Sequence, residues 1–174
     1  MSRSTTFEVC VLLRGVLAAV FLLSAGPAKA QKAAEAAVNP FEGMAGAWSG
    51  NGSITLGSGD KERIRCRVTY VVNDAGTRVE QDLRCASDSY KFELLTDINY
   101  ANGFVTGRWN ERTQRSSGTI SGRAGVGQIE ALAETSGFSA FFTMITRGDR
   151  QSVRIESKSP EISDVTITLR RSGK

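Results

Sequence analysis

The sequence predicts an all-β protein, in which a single antiparallel meander of about eight to ten strands closes into a β-barrel. After Val38, apolar and polar residues alternate with the period of two that is typical of half-buried strands. Glycine-rich turns separate these stretches at even spacing, and no stretch has a convincing helical period. A β-sandwich is the alternative. Closure is favoured because it removes exposed edge strands.

The first thirty residues have the features of a secretory signal peptide. Positive charges flank an apolar run at Gly15–Ala25, which is too short to span a bilayer core of about 30 Å as a helix. Ala28, Lys29 and Ala30 form an A-x-A site, so we predict cleavage between Ala30 and Gln31. The mature protein would then be periplasmic or secreted. A retained N-terminal anchor is the alternative.

We therefore divide the chain into a signal peptide at 1–30, an alanine-rich leader at 31–40 and a β-barrel domain at 41–174. The length left after cleavage suits one domain. Removing the signal takes away three cations and one anion, so the formal net charge falls from +4 to +2. This weak charge gives no support for binding nucleic acid.

The first strand is predicted at Trp48–Leu56, where Trp48, Ile54 and Leu56 share one face with two glycines. The next two strands are predicted at Glu62–Val72 and Thr77–Cys85, on either side of a turn-forming Asn-Asp-Ala-Gly stretch.

Cys66 and Cys85 fix the register of this hairpin. Both remain after signal cleavage, and exported proteins meet an oxidising environment, so we expect them to form a disulfide. Placing them opposite each other puts the apolar residues of both strands on one face, which a one-residue slip would destroy. The same register makes these further pairs: Val68 with Leu83, Tyr70 with Gln81, and Val72 with Val79.

The remaining strands follow in order, separated by turn residues such as Asn102-Gly103, Gly148-Asp149 and Ser159-Pro160. They are predicted at Tyr90–Leu94, Phe104–Asn110, Ser117–Arg123, Gly127–Glu134, Phe138–Thr146, Ser152–Ser157 and Ile162–Arg170. The outer face of the sheet is expected to carry Arg63, Arg65, Arg67, Lys91 and Glu93, which argues against a membrane-spanning barrel because lipid penalises such charges.

Gly46-Ala47-Trp48, preceded by Phe41 and Gly43, resembles the G-x-W opening of calycin-type barrels. In lipocalins this tryptophan plugs the closed end of the barrel, and a late arginine packs across it. The resemblance implies that Arg170 or Arg171 has that part here.

The mature chain also resembles a secreted family of alphaproteobacteria for which no activity is implied. The likeness is carried by Trp48–Gly52, Leu83–Phe92 and Thr146–Val153.

The chain contains no histidine, which excludes several kinds of site. A Ser-His-Asp triad, a Cys-His nucleophile, the usual zinc shell and haem held by a proximal histidine all need one. The carboxylates Glu80, Asp82 and Glu93 are expected on the outer, solvated face. We therefore predict no catalytic residues, no metal, no cofactor and no enzymatic activity.

The favoured function is the binding of a small apolar or amphiphilic ligand inside the barrel. Six aromatic residues are candidates to line such a cavity: Trp48, Tyr70, Tyr90, Phe92, Trp109 and Phe142. Small inward residues such as Gly50 and Gly52 are expected to leave room for it, although a fully packed core is the simpler alternative.

The competing hypothesis is a protein-interaction module in the periplasm. Small lipocalin-like protease inhibitors use an N-terminal bait, and Gln31–Pro40 is the corresponding segment here.

The outer face of the hairpin carries four candidate anion-binding residues, namely Arg63, Arg65, Arg67 and Arg84. The predicted register places Arg67 opposite Arg84, where like charges destabilise the sheet. A guanidinium stripe of this kind can bind phosphate groups on lipid or polysaccharide, which leaves contact with a membrane surface open. The alternative is a solvated edge that discourages association between strands.

Overall fold

The computed structural model describes residues 38–173, which form ten antiparallel strands closed into a barrel. The strands are β1 Gly46–Leu56, β2 Lys61–Val72, β3 Arg78–Ala86, β4 Lys91–Ala101, β5 Phe104–Glu111, β6 Ser116–Gly125, β7 Gln128–Thr135, β8 Phe138–Arg147, β9 Arg150–Ser157 and β10 Ile162–Arg171. Each strand pairs with its sequence neighbours, and β1 pairs with β10 to close the circle. The predicted meander and its closure into a barrel are confirmed. Within the described residues, no helix is long and apolar enough to cross a membrane.

The hairpin of β2 and β3 has the predicted register. Cys66 lies opposite Cys85 with their Cα atoms 4.1 Å apart, and the two sulfur atoms are bonded. The three further predicted pairs are also present. β4 extends well past its predicted end, because Thr96, Ile98 and Tyr100 continue the inward-facing alternation.

A short turn before β1 closes one end of the barrel, which we call the plug end. Phe41 and Met44, in this turn, are 1% and 2% exposed. The Trp48 Nε1–H donates to the backbone oxygen of Met44 at 2.8 Å. The turns that follow β2, β4, β6 and β8 lie at the same end, while those that follow β1, β3, β5, β7 and β9 lie at the opposite, far end.

β1 and β10 approach each other very closely at Gly50 and Gly52. A Cβ atom at Gly50 would lie 1.9 Å from the backbone oxygen of Thr168, and one at Gly52 would lie 1.9 Å from that of Thr166. Any larger residue would therefore collide with the β10 backbone. The room expected beside these glycines is filled by a neighbouring strand, so this part of the wall offers no space to a ligand.

A candidate ligand-binding interior

Two walls of the barrel present apolar side chains that point inward but are only partly buried. One wall is formed by β3 and β4, the other by β8 and β9. Because each strand of one pair is five places from its counterpart in the ten-strand circle, the walls face each other across the interior. Their half-buried members, which pack against the core, are Leu83, Phe92 and Leu94 on the first wall and Phe142, Val153 and Ile155 on the second.

Other inward residues are tightly packed. Ile54 and Val105 are fully buried, and Ile129 is 2% exposed. Their strands lie beside or between the two walls. Half-buried apolar residues occur on other strands as well, such as Leu56, Val72 and Ile162, but the two facing walls each present three of them.

Aromatic pairs lie at the far end, next to each wall. Tyr90, in the turn before β4, stacks on Phe92 with ring centroids 6.2 Å apart. Trp109, at the end of β5, meets the edge of Phe138 at 6.0 Å. The structure thus brings four of the six predicted cavity residues, Tyr90, Phe92, Trp109 and Phe142, into the walls or the far end.

The other two predicted cavity residues lie toward the plug end and are almost completely buried. Trp48 belongs to the plug itself. The Tyr70 hydroxyl donates to Oε1 of Gln151 at 2.7 Å, and Nε2 of Gln151 donates to Oγ1 of Thr146 at 2.9 Å. These two residues therefore form the base of the interior rather than its accessible part.

Burial raises the pKa of the Tyr70 hydroxyl, and its hydrogen bond to Gln151 opposes this only in part. The phenol therefore stays protonated and acts as a donor at any ordinary pH.

Sequence reasoning missed Gln151, which is 1% exposed and is in phase with Val153 and Ile155 on the inward face of β9. Extending the predicted strand by one residue would have revealed it.

Two polar atoms of the interior have no hydrogen-bond partner among the described residues, namely Thr96 Oγ1 and Trp109 Nε1. The two residues pair directly across β4 and β5. Both side chains are more than nine-tenths buried. Leaving a buried donor unpaired costs about 1–3 kcal/mol, so these groups need a functional or structural explanation.

Glu111 is a buried carboxylate at the far end, where it organises the turn after β5. Burial alone would raise its pKa, but its oxygens accept hydrogen bonds from the N–H groups of Glu93, Gln114 and Thr113. These donors outweigh burial, so the pKa of Glu111 lies below its ordinary value. With its oxygens engaged in this way, the carboxylate has a structural role.

The four predicted anion-binding arginines lie outside the barrel, on β2 and β3. Arg67 lies directly opposite Arg84, as predicted. Arg65, Arg67 and Arg84 border an open groove, whereas Arg63 lies beyond it.

The signal peptide, its cleavage site and most of the leader lie outside the described residues. Of the proposed bait segment, only its last three residues are described. Pro40 is buried at the plug end, and the Asn39 side chain accepts a hydrogen bond from the Phe41 N–H. The inhibitor hypothesis therefore stays a prediction.

Comparison with known proteins supports the fold and assigns no family. No protein-family model matches the chain, and no curated protein matches it. Among solved structures, the barrel is similar to an S-type phycobiliprotein lyase, CPES, from Guillardia theta, with a TM-score of 0.53 and 10% sequence identity. The match covers 77% of this chain and 91% of that one. At this identity the likeness concerns the fold alone.

Proposed function

We propose that this protein is an exported, non-catalytic carrier that binds one small apolar or amphiphilic molecule inside its barrel. The proposal is carried by the half-buried apolar side chains on the two facing walls. Burying apolar surface away from water is favourable by roughly 25 cal/mol per Å², and surface left exposed does not contribute this free energy. A ligand that covered Leu94 on one wall and Phe142 on the other would recover that free energy.

The unpaired donors favour an amphiphilic ligand over a pure hydrocarbon. Thr96 Oγ1 and Trp109 Nε1 lie on the inward face of β4 and β5, adjacent to the first wall. A ligand oxygen that reached either donor would remove the cost of leaving it unpaired. Such contacts fix the orientation of a ligand in an otherwise apolar site.

The chemistry of the interior supports carriage rather than catalysis. The chain has no histidine to act as a general base. Glu111 is the buried carboxylate of the described barrel, and its oxygens already accept backbone hydrogen bonds. The similar barrel from Guillardia theta is named a lyase. That name describes the other protein, and we adopt only its fold as support for an interior binding site.

A neutral fluorescent probe, N-phenyl-1-naphthylamine, tests the proposal without involving the charged outer face. We expect saturable binding with a stoichiometry near one, accompanied by quenching of Trp109 fluorescence. Native mass spectrometry of the protein purified without denaturation should also show any molecule that co-purifies. A protein that binds neither the probe nor a co-purified molecule would contradict the proposal.

Leu94 and Leu95 provide a matched pair of variants, because they are adjacent in β4 and face opposite sides of the sheet. Leu94→Trp should fill part of the interior and weaken probe binding severalfold. Leu95→Trp adds the same bulk outside and should leave the affinity unchanged. Equal effects of the two substitutions would show that the probe binds elsewhere.

A further inference from the structure

We propose that the outside of the barrel carries a second binding site, for a discrete anionic ligand with more than one phosphate group. The site is an open groove of about 970 Å³ that runs across the outer faces of β10, β1, β2, β3 and β4. Its charged lining consists of five cations and one carboxylate: Arg65, Arg67, Arg84, Lys91, Arg170 and Glu93. We call it the basic groove.

Three of the five cations of the basic groove lack an ion pair within the described residues, as do other arginines of the barrel such as Arg63 and Arg123. Arg78 forms a two-pronged pair with Asp97, with both contacts at 2.8 Å. In contrast, none of the ion pairs within residues 38–173 involves Arg65, Arg67 or Lys91. Two longer contacts exist at the groove, from Arg84 to Asp82 at 3.4 Å and from Arg170 to Asp149 at 3.6 Å, both between exposed side chains. The groove thus keeps a positive field that an anionic ligand can complement.

The direct opposition of Arg67 and Arg84 is the specific element of the site. Like charges at paired positions destabilise a sheet. The Cys66–Cys85 bond joins the adjacent pair of residues on the same two strands and prevents them from moving apart. A phosphate between the two guanidinium groups would replace their repulsion with charge-assisted hydrogen bonds, for which the planar guanidinium is well suited.

Protection of a sheet edge does not explain these charges. β2 is paired with β1 and β3, and β3 is paired with β2 and β4. Neither strand has an unpaired edge that arginines would need to guard. The neutral part of the lining includes three hydrogen-bonding side chains suited to phosphate or sugar oxygens, namely Ser49, Asn51 and Thr168, beside apolar residues such as Ala86 and Phe92.

A single groove that gathers five cations suits a compact ligand with several phosphate groups better than an extended bilayer surface. The probe is inorganic tripolyphosphate, titrated by isothermal calorimetry at low ionic strength. We expect a one-to-one complex that weakens as salt is added. The Arg67→Gln/Arg84→Gln variant should bind about tenfold more weakly or worse, because it loses both guanidinium partners.

The control variant, Arg123→Gln/Arg147→Gln, removes the same charge away from the groove and should bind almost normally. Thermal melting should show that both variants fold. Absence of tripolyphosphate binding, or an equal loss in both variants, would overturn the proposal. Binding to phosphatidylglycerol vesicles without binding to tripolyphosphate would also overturn it and would indicate a membrane surface instead. Both variants should still bind N-phenyl-1-naphthylamine, so failure of this site is distinguishable from failure of the interior site.

Discussion

The guanidinium of Arg171 lies over the ring of Trp48, 4.4 Å from the ring centroid, and joins the last strand to the first at the plug end. Its two terminal nitrogens donate to the backbone oxygens of Gly43 and Ala45. One side chain therefore holds the turn, the indole and the β1–β10 seam together. The resemblance to lipocalins predicted that Arg170 or Arg171 packs across this tryptophan, and in the structure the residue is Arg171.

Replacing Arg171 should loosen the plug. We expect Arg171→Ala to lower the free energy of unfolding by about 1–3 kcal/mol, because it removes a cation–π contact and leaves backbone oxygens without their donor. Arg171→Lys should restore only part of the loss, since an ammonium cannot contact both oxygens and the ring in the same way. Urea unfolding measures these changes. Arg170→Ala is the control, because Arg170 points outward. An equal loss in that variant would contradict the assignment.

Stability should depend on pH through Glu111. Its pKa is lower in the folded protein than in the unfolded chain, so the ionised carboxylate stabilises the fold at neutral pH. That contribution is lost as the pH falls from the carboxyl pKa in the unfolded chain, about 4.3, through the lower pKa of Glu111 in the folded protein. Glu111→Gln should cost about 1–3 kcal/mol at pH 7, because the amide is a poorer acceptor for three N–H groups.

The corresponding measurement is urea unfolding between pH 7 and pH 3 for the protein and its Gln variant. The variant should show a flatter pH profile over the acidic range. Glu134→Gln, on the exposed face of β7, is the matched control and should keep the original profile. The assignment is wrong if the Glu111 variant and the protein lose stability in parallel on acidification.

Removing the disulfide should weaken the barrel without changing its register. The bond joins residues 19 positions apart, for which the chain-entropy model predicts about 3 kcal/mol of stabilisation. Cys66→Ala/Cys85→Ala should therefore unfold at lower urea concentration, while its circular dichroism spectrum remains that of a β protein. A reducing agent should destabilise the original protein and leave the double variant unaffected. Equal sensitivity of the two proteins would contradict this prediction.

The Tyr70–Gln151 hydrogen bond should behave as a coupled pair. Tyr70→Phe leaves Oε1 of Gln151 buried without its donor and should cost about 1–3 kcal/mol. Gln151→Met likewise leaves the Tyr70 hydroxyl buried without its acceptor. The double variant should cost less than the sum of the two single variants, since it removes both partners together. A double-mutant cycle in urea measures this coupling, and strictly additive losses would show that the two groups act independently.

Much of the fold was predictable because the relevant constraints are local. Side chains of a strand alternate between faces, so the pattern in β2 and β3 specifies which side is buried. Cys66 and Cys85 then select one register among the possible slips. β4 was predicted too short because its middle residues, such as Thr96 and Asp97, are less distinctly alternating than its beginning.

The candidate site was only partly predictable. Inward orientation of Phe92 and Phe142 follows from strand periodicity, but their partial exposure does not. Exposure depends on how side chains from all ten strands fill a shared volume, and no local pattern reports that volume. For the same reason, the sequence could not show that Trp48 and Tyr70 belong to the closed base, or that the space beside Gly50 and Gly52 is occupied by β10.

The sequence by itself thus determined the strand pattern, the disulfide and the identity of the inward face, because each depends on side chains that are near one another along the chain. Tertiary structure decided which distant residues meet. Pairing of β1 with β10 brings Trp48 under Arg171, and coiling of five neighbouring strands gathers Lys91 and Arg170 around the Arg67–Arg84 pair. These encounters depend on closure of the whole sheet, which is a cooperative property of all ten strands.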